Sequence, residues 1–217
     1  MAEAMGARCV VEGLYPFHIP LSSQEIFDNL TVPRNYTSAA KHIQQYGICR
    51  AVDYPYRGED KTPSCTDRFQ KHKIQEFLKF ETAKDEEKIL AEIRISPIVG
   101  VIYVTQALKD LKHNDIFDAE ATRLVSNAHA VLITGYATIC GIPCYEIKNS
   151  WGIKWGAKGY GIVARRTIPR VIVMRFPYIE PPKIPKVLVR RTLYDSEGFR
   201  RGRSKRGRIQ KKQEQKR

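Results

Sequence analysis

Apolar and polar positions along the 217-residue chain fall into three regimes. In the first, residues 1–66, the apolar spacing is helical and interrupted. Ala4, Met5, Val10 and Val11 are roughly helix-spaced, and Pro16 ends that segment. Ser22-Ser23-Gln24-Glu25-Ile26-Phe27 reads as a capped helix start, with Glu25 three places after Ser22 as in a capping box. A third helix is predicted from Thr37 to Tyr46, with Gly47 as its C-terminal stop. Tyr54-Pro55-Tyr56-Arg57-Gly58 carries turn chemistry, because Pro55 fixes its own φ and restricts Tyr54.

The pattern changes in the second regime, residues 67–175. Asp85 to Arg94 predicts a short helix with Leu90 and Ile93 on one face. Four runs rich in Val, Ile and Tyr follow, separated by Gly or Pro, and read as strands: Ile98–Val104, Ala130–Gly135, Cys144–Lys148 and Tyr160–Ala164. A turn is expected over Gly141-Ile142-Pro143, bracketed by Cys140 and Cys144. The fold class is α+β, a helical lobe followed by a lobe built on antiparallel strands. The third regime, residues 176–217, holds four prolines between Pro177 and Pro185 and then a run of Arg and Lys. With few apolar residues after Tyr194, it is expected to be a linker and a disordered tail.

Charge sharpens this division. Twelve basic and three acidic residues between Arg190 and Arg217 put +9 of the chain's +14 into the tail, and leave +5 on the rest. The longest apolar run, Ile98–Val104, is far short of the roughly 20 residues a membrane span needs, so no membrane partner is expected. Met1-Ala2-Glu3-Ala4 does not open a secretory signal, which gives an intracellular expectation for the sequence as it stands. The five cysteines, at 9, 49, 65, 140 and 144, contain no CxxC pair, so neither a zinc site nor another metal or cofactor is expected, and the thiols are expected free. His18, His42, His72 and His113 lie in polar or basic surroundings and read as surface residues.

One constellation carries chemistry. Asn127-Ala128-His129-Ala130-Val131 is followed, after two strand-like runs, by Lys148-Asn149-Ser150-Trp151-Gly152, and then by Trp155-Gly156 and Gly159-Tyr160. A histidine opening one strand and an asparagine closing the next can sit side by side in an antiparallel pair. The carboxamide oxygen can then accept the imidazole N–H and fix the ring's tautomer and direction. The indole of Trp151 can shield that hydrogen bond from water and so strengthen it.

These motifs resemble the C-terminal half of papain-like cysteine peptidases, with about a dozen matching positions across residues 127–165. Ser23-Gln24-Glu25, Tyr46-Gly47-Ile48, Tyr54-Pro55-Tyr56 and Ile116-Phe117 extend the resemblance upstream, to roughly residues 1–170. It implies a papain-like two-lobe fold with the helical lobe shortened at its start, and peptides or proteins as substrates. It also implies that His129 matches the base, Asn149 the orienting residue and Trp151 the shielding indole.

In that family a cysteine at a helix N-terminus is the nucleophile, activated by the helix dipole and the histidine, and a glutamine helps form the oxyanion hole. If Glu12-Gly13 is the family's Glu-Gly pair, the nucleophile's position falls on Ala2; counted back from Ser23-Gln24-Glu25 it precedes Met1. Cys9 lies seven residues beyond Ala2, about 10 Å of helical rise, and reads as a buried helix thiol. Neither register puts a cysteine at the nucleophile's position and the glutamine has no place in either, so the chain as given is expected to be inactive in peptide hydrolysis. A second reading makes it a non-catalytic scaffold of papain-like shape. Its basic tail, with Arg200-Arg201-Gly202-Arg203 and Lys205-Arg206-Gly207-Arg208, would then address a nuclear import receptor or a nucleic acid, against the alternative of a merely solvated end. The nucleus is then a location to consider, and the lysosome, vacuole or extracellular space if the true start lies upstream of Met1.

Overall fold

The computed structural model describes residues 1–30, 35–59, 68–118 and 127–176. Of the linker and tail expected over residues 176–217, all but Phe176 lies outside the described residues, as does Cys65. Three helices come first: α1 (Ala2–Val11), α2 (Ser23–Asn29) and α3 (Tyr36–Gln45). Then follow β1 (Glu76–Glu81), α4 (Thr82–Ile95), β2 (Ile98–Tyr103), the short α5 (Gln106–Lys109), β3 (Ile116–Phe117), β4 (Ala128–Ile139), β5 (Ile142–Lys148), β6 (Tyr160–Ala164) and β7 (Arg170–Arg175). The seven strands form one sheet in the order β1-β7-β2-β4-β5-β6-β3. Every pairing is antiparallel except β3 with β6. This is an α+β protein, as its patterning predicts.

Both faces of the sheet are covered, and the strands at its centre alternate between two cores. Val171 and Val173 of β7, with Ile98 and Ile102 of β2, join Ile89 and Ile93 of α4, Ile133 of β4 and Ile147 of β5 in one cluster. Ile172 and Met174 of β7, with Val99 of β2, join Met5 and Cys9 of α1, Ile26 of α2 and Ile43 of α3 in the other. A strand with both faces buried has no polar positions to alternate with, which is why β2 reads as an unbroken apolar run.

Local signals set the helix ends. The Ser22 side chain accepts the Glu25 N–H at 2.9 Å and caps α2. The Glu25 carboxylate does not reach back to Ser22 as a capping box would have it. It accepts the Cys49 N–H at 2.7 Å and pairs with Lys71, so the cap doubles as a tie between segments. Asn35 caps α3, and Gly47 follows that helix with a φ of 76°, as a C-terminal stop requires. The turn around Tyr54 is held from α2 by a buried polar network. Asp28 accepts from Tyr54 Oη (2.6 Å), Arg57 Nη2 (2.7 Å) and Gln24 Nε2 (2.7 Å), while Gln24 Oε1 accepts the N–H groups of Arg57 and Gly58.

Three strands were not evident in the sequence, the two-residue β3 among them. β1 has the mixed pattern Glu-Phe-Leu-Lys-Phe-Glu of an edge strand, and β7, Arg-Val-Ile-Val-Met-Arg, follows directly on the predicted run of strands. The β4–β5 turn also differs from expectation. It consists of Cys140 and Gly141, both at positive φ, and Ile142 and Pro143 already belong to β5. Pro143 is tolerated because the alternation of hydrogen bonds turns its nitrogen away from β4, beyond the last β6 partner, Cys144 opposite Ala164. Cys9, Cys49, Cys140 and Cys144 are free thiols.

Residues 71–75 form a strap over the helical side. Lys71 pairs with Glu25 of α2, His72 forms a backbone bridge with Ile48, and Ile74 enters the core. Gln75 accepts from Gln44 of α3 at 2.7 Å and donates its N–H to Arg175 of β7 at 2.8 Å. Two of the four histidines expected at the surface are covered instead, His72 in this strap and His42 on α3. His72 is buried, with its Nε2 3.1 Å from the Tyr15 hydroxyl, and His42 is half-buried beside Tyr46, whereas His18 and His113 are exposed.

Burial holds the pKa of His72 below the usual histidine value, helped by Arg50; burial does the same at His42, with Glu25 opposing it and Lys71 assisting. Both rings are therefore harder to protonate in the fold than in the unfolded chain. The stability this contributes is complete above about pH 6.5 and is lost as the pH falls through the folded values, with a slope of at most about 1.4 kcal/mol per pH unit for each ring. Thermal unfolding followed from pH 7.5 to 5 should show a falling midpoint, and His72→Gln should flatten that fall.

Candidate functional site

The strand register brings the histidine and the asparagine together. β4 begins at Ala128, and its second residue, His129, lies opposite Ile102 of β2. Leu132 pairs with Lys148, the last residue of β5, so Asn149 follows on opposite Val131 and shares a face with His129 one pleat away. The Asn149 Oδ1 stands 2.8 Å from His129 Nε2. The same oxygen accepts the backbone N–H of Ser150 at 2.8 Å. A backbone N–H can only donate, so this second bond settles which end of the carboxamide faces the ring. Nε2 must then carry the shared proton, and in the neutral imidazole the lone pair sits on Nδ1.

Trp151 stacks on the imidazole, with ring centroids 4.9 Å apart and planes 24° from parallel. Trp155 meets Trp151 edge-on at 5.8 Å and is itself pinned, its Nε1 donating to the Leu108 carbonyl at 2.8 Å. The chain thus braces the histidine through two indoles from a buried anchor. Asn149 Nδ2 is buried and has no hydrogen-bond partner among the described residues, a cost of about 1–3 kcal/mol that the rest of the arrangement offsets.

No described thiol lies beside this imidazole. Cys140 is at the other end of β4, on the order of 30 Å of strand from His129. Cys144 pairs with Ala137, further along β4 from His129, and its Sγ lies 3.3 Å from the Ile142 carbonyl; burial raises its pKa. Burial pushes Cys9 up to about 11, and burial with a hydrogen bond to Glu25 pushes Cys49 up to about 12, so both are held as neutral thiols. Ala2 is the first residue of α1 and is buried, and its neighbour Glu3 pairs with Lys148 at 2.5 Å, placing the start of α1 over the end of β5. The sequence reading missed this ion pair; the only signal was a lone acid in the first helical turn. Among the described residues no group of three His, Cys, Asp or Glu side chains could hold a metal ion, and no helix is long and apolar enough to cross a membrane.

The loop carrying Trp151 depends on Gly156. Its φ is 54°, and a Cβ there would lie 2.2 Å from the Tyr160 carbonyl oxygen. Gly156→Ala combines left-handed strain with a backbone overlap, so it should cost more than about 2 kcal/mol and lower the melting temperature by roughly 4 °C or more. Calorimetry, with tryptophan fluorescence to register the displaced indoles, checks this.

Comparison with known proteins follows the same lines. Residues 15–175 match the family described as Papain family cysteine protease. Cathepsin K of Mus musculus is 30% identical over 155 residues, which are 68% of this chain and 46% of that protein. Pro-cathepsin H of Bos taurus is 32% identical over 172 residues, 73% of this chain and 49% of that protein. The chain thus spans about half the length of these curated relatives. Among solved structures, bromelain from Ananas comosus superposes with a TM-score of 0.66 at 19% identity, covering 81% of this chain and 87% of that one. Procathepsin L 3 of Tenebrio molitor gives 0.69 at 19% identity, covering 80% and 60%. The fold is papain-like, and with the family match running through well over half of its residues, this chain belongs to the papain family of cysteine proteases.

Proposed function

We propose that the chain keeps the base half of a papain-type peptidase centre and that these 217 residues do not themselves hydrolyse peptide bonds. In this reading His129 is the base, Asn149 sets its tautomer, Trp151 keeps water from the bond between them, and peptides or protein segments are the ligand class. The observation that carries it is the 2.8 Å contact of Asn149 Oδ1 with His129 Nε2, its direction fixed by Ser150 and its face closed by Trp151. The missing function follows from reach. A general base must stand within about 3 Å of the group it deprotonates, and the described thiols are buried elsewhere or lie at the far end of β4. Ala2, which holds the nucleophile's position if Glu12-Gly13 is the family's Glu-Gly pair, has no atom to attack with, and in the other register that position precedes Met1. Loss of the nucleophile in such a unit costs on the order of 10⁶ in kcat.

The test is direct. The purified 217-residue chain, given a fluorogenic dipeptide amide and separately the epoxide E64, should show no turnover and no added mass. Covalent labelling of a cysteine that disappears in His129→Ala would overturn the assignment.

The charge of the tail favours a second reading, in which the papain-like shell is a scaffold and the segment Arg190–Arg217 addresses a nuclear import receptor or a nucleic acid. With no aromatic residue among the arginines after Phe199, base stacking has nothing to work with, which favours the import receptor. Expressed in cells, the chain should collect in the nucleus, and replacing Arg200, Arg201, Arg203, Lys205, Arg206 and Arg208 by alanine should disperse it. An unchanged distribution would remove this reading.

A further inference from the structure

The loop from Ser150 to Tyr160 shields His129 with one face and presents the other to solvent. Ile153, lying in the chain between the two tryptophans, is 80% exposed. Trp151, before it in the chain, is half-buried, whereas Lys154 directly after it and Lys158 further along are exposed. Neither lysine has an ion pair or hydrogen bond among the described residues. The loop is nonetheless rigidly built. Asn149 N–H donates to Gly159 O at 2.8 Å, Gly159 N–H to Trp155 O at 2.8 Å, and Ala157 N–H to Tyr160 O at 2.7 Å. A backbone bridge from Lys112 to Gly156 and the indole bond to Leu108 tie it to the neighbouring segment.

The loop's own charge is of one sign. Residues 150–160 contain no Asp or Glu, and Lys154 and Lys158 are their only charged side chains. The one acid that reaches in from α1, Glu3, is spent on Lys148. On the neighbouring segment Asp110 accepts from Gln106 at 2.9 Å and Asp115 accepts the Lys112 N–H at 3.1 Å, and Lys109 and Lys112 balance them in charge. The loop therefore offers, on one short braced segment, an exposed apolar side chain and two cations that have no partner among the described residues. An occupant that loses little entropy on docking to such a preformed surface must supply negative charge and an apolar side chain together.

We propose that the exposed face of this loop, Ile153 with Lys154 and Lys158, is a docking surface for an acidic peptide segment that carries an aliphatic residue. A peptide is favoured over a nucleic acid because the aromatic surface here is already taken. One face of Trp151 lies on His129 and its ring is met by Trp155, which leaves a base little to stack on, whereas Ile153 suits an aliphatic partner. The inference goes beyond the proposed function and does not depend on whether His129 ever takes a proton.

The protein carries its own probe, since its two tryptophans are both in this loop. The full chain is titrated with the acetylated, amidated pentapeptide Glu-Asp-Leu-Asp-Glu, with its counterpart Lys-Lys-Leu-Lys-Lys, and with oligothymidylate, while tryptophan emission is followed. The acidic peptide should give a saturable change that weakens with added salt, and the basic peptide none. Lys154→Glu/Lys158→Glu should weaken the acidic peptide about tenfold or more, and Ile153→Ser several-fold. The tail variant Arg200→Glu/Arg201→Glu should bind as the native chain does. No saturable response to the acidic peptide, an equal response to both peptides, or an equal response to oligothymidylate would overturn the proposal. So would undiminished binding by the loop double variant, or loss confined to the tail variant. Native-chain discrimination between the peptides stands as a test even if a variant fails to fold.

Discussion

Two adjacent strands with no solvent face hold this molecule together. β2 and β7 send alternate side chains into two cores, Ile98, Ile102, Val171 and Val173 to one side and Val99, Ile172 and Met174 to the other. Each fully buried aliphatic side chain contributes roughly 1.5–3 kcal/mol, and a slip of one residue would exchange the two sets between cores of different shape. Register is therefore over-determined at the centre of the sheet. Everything attached to β2 inherits that certainty, and β4 is attached along the whole length of β2, from Ile98 opposite Ile133 to Tyr103 opposite Ala128.

The placement of His129 is a consequence of that pairing. It lies opposite Ile102, which is fully buried, so the imidazole cannot move along the strand without dragging core residues with it. Asn149 is placed by the β4–β5 ladder, which passes through one irregularity between Ile133 and Gly135 and resumes before the site is reached. The final adjustment is made by a backbone donor, Ser150 N–H, rather than by another side chain. The tautomer of the histidine is thus set by main-chain geometry, which depends on the fold and not on any reacting group.

Much of this was legible in the chain. The spacing of Ala128-His129-Ala130 and Lys148-Asn149-Ser150-Trp151 lets a ring and a carboxamide sit side by side, because an antiparallel pair returns the end of its second strand to the start of its first. The helix starts at Ser22 and the stop at Gly47 were legible for similar reasons, since each is a local demand of the backbone that few residue types meet. What was not legible depended on distant partners. β1, with acids at both ends and a lysine inside, is a strand because β7 needs an outer neighbour, and its own pattern does not say so. His72 sits among Lys71, Lys73 and Gln75, a polar context by any count, yet the strap turns it inward onto Tyr15. Pro143 suggested a turn, and only the position of the last β6 partner explains why a strand accepts it. The role of Glu25 likewise changed from a local cap to a long-range tie to Cys49 and Lys71, for which one segment of sequence holds no information.

The mutual bracing of Trp155, Trp151, His129 and Asn149 has an implication for how such a sequence ages. Each of these residues is held by contacts that also hold the loop and the end of the sheet, so replacing any one is penalised in folding before it is penalised in chemistry. A lineage that stopped cutting peptides would still be under pressure to keep them, and the motif would outlast the reaction. The signature that marks a peptidase in a sequence is, in this architecture, as much mortar as machinery.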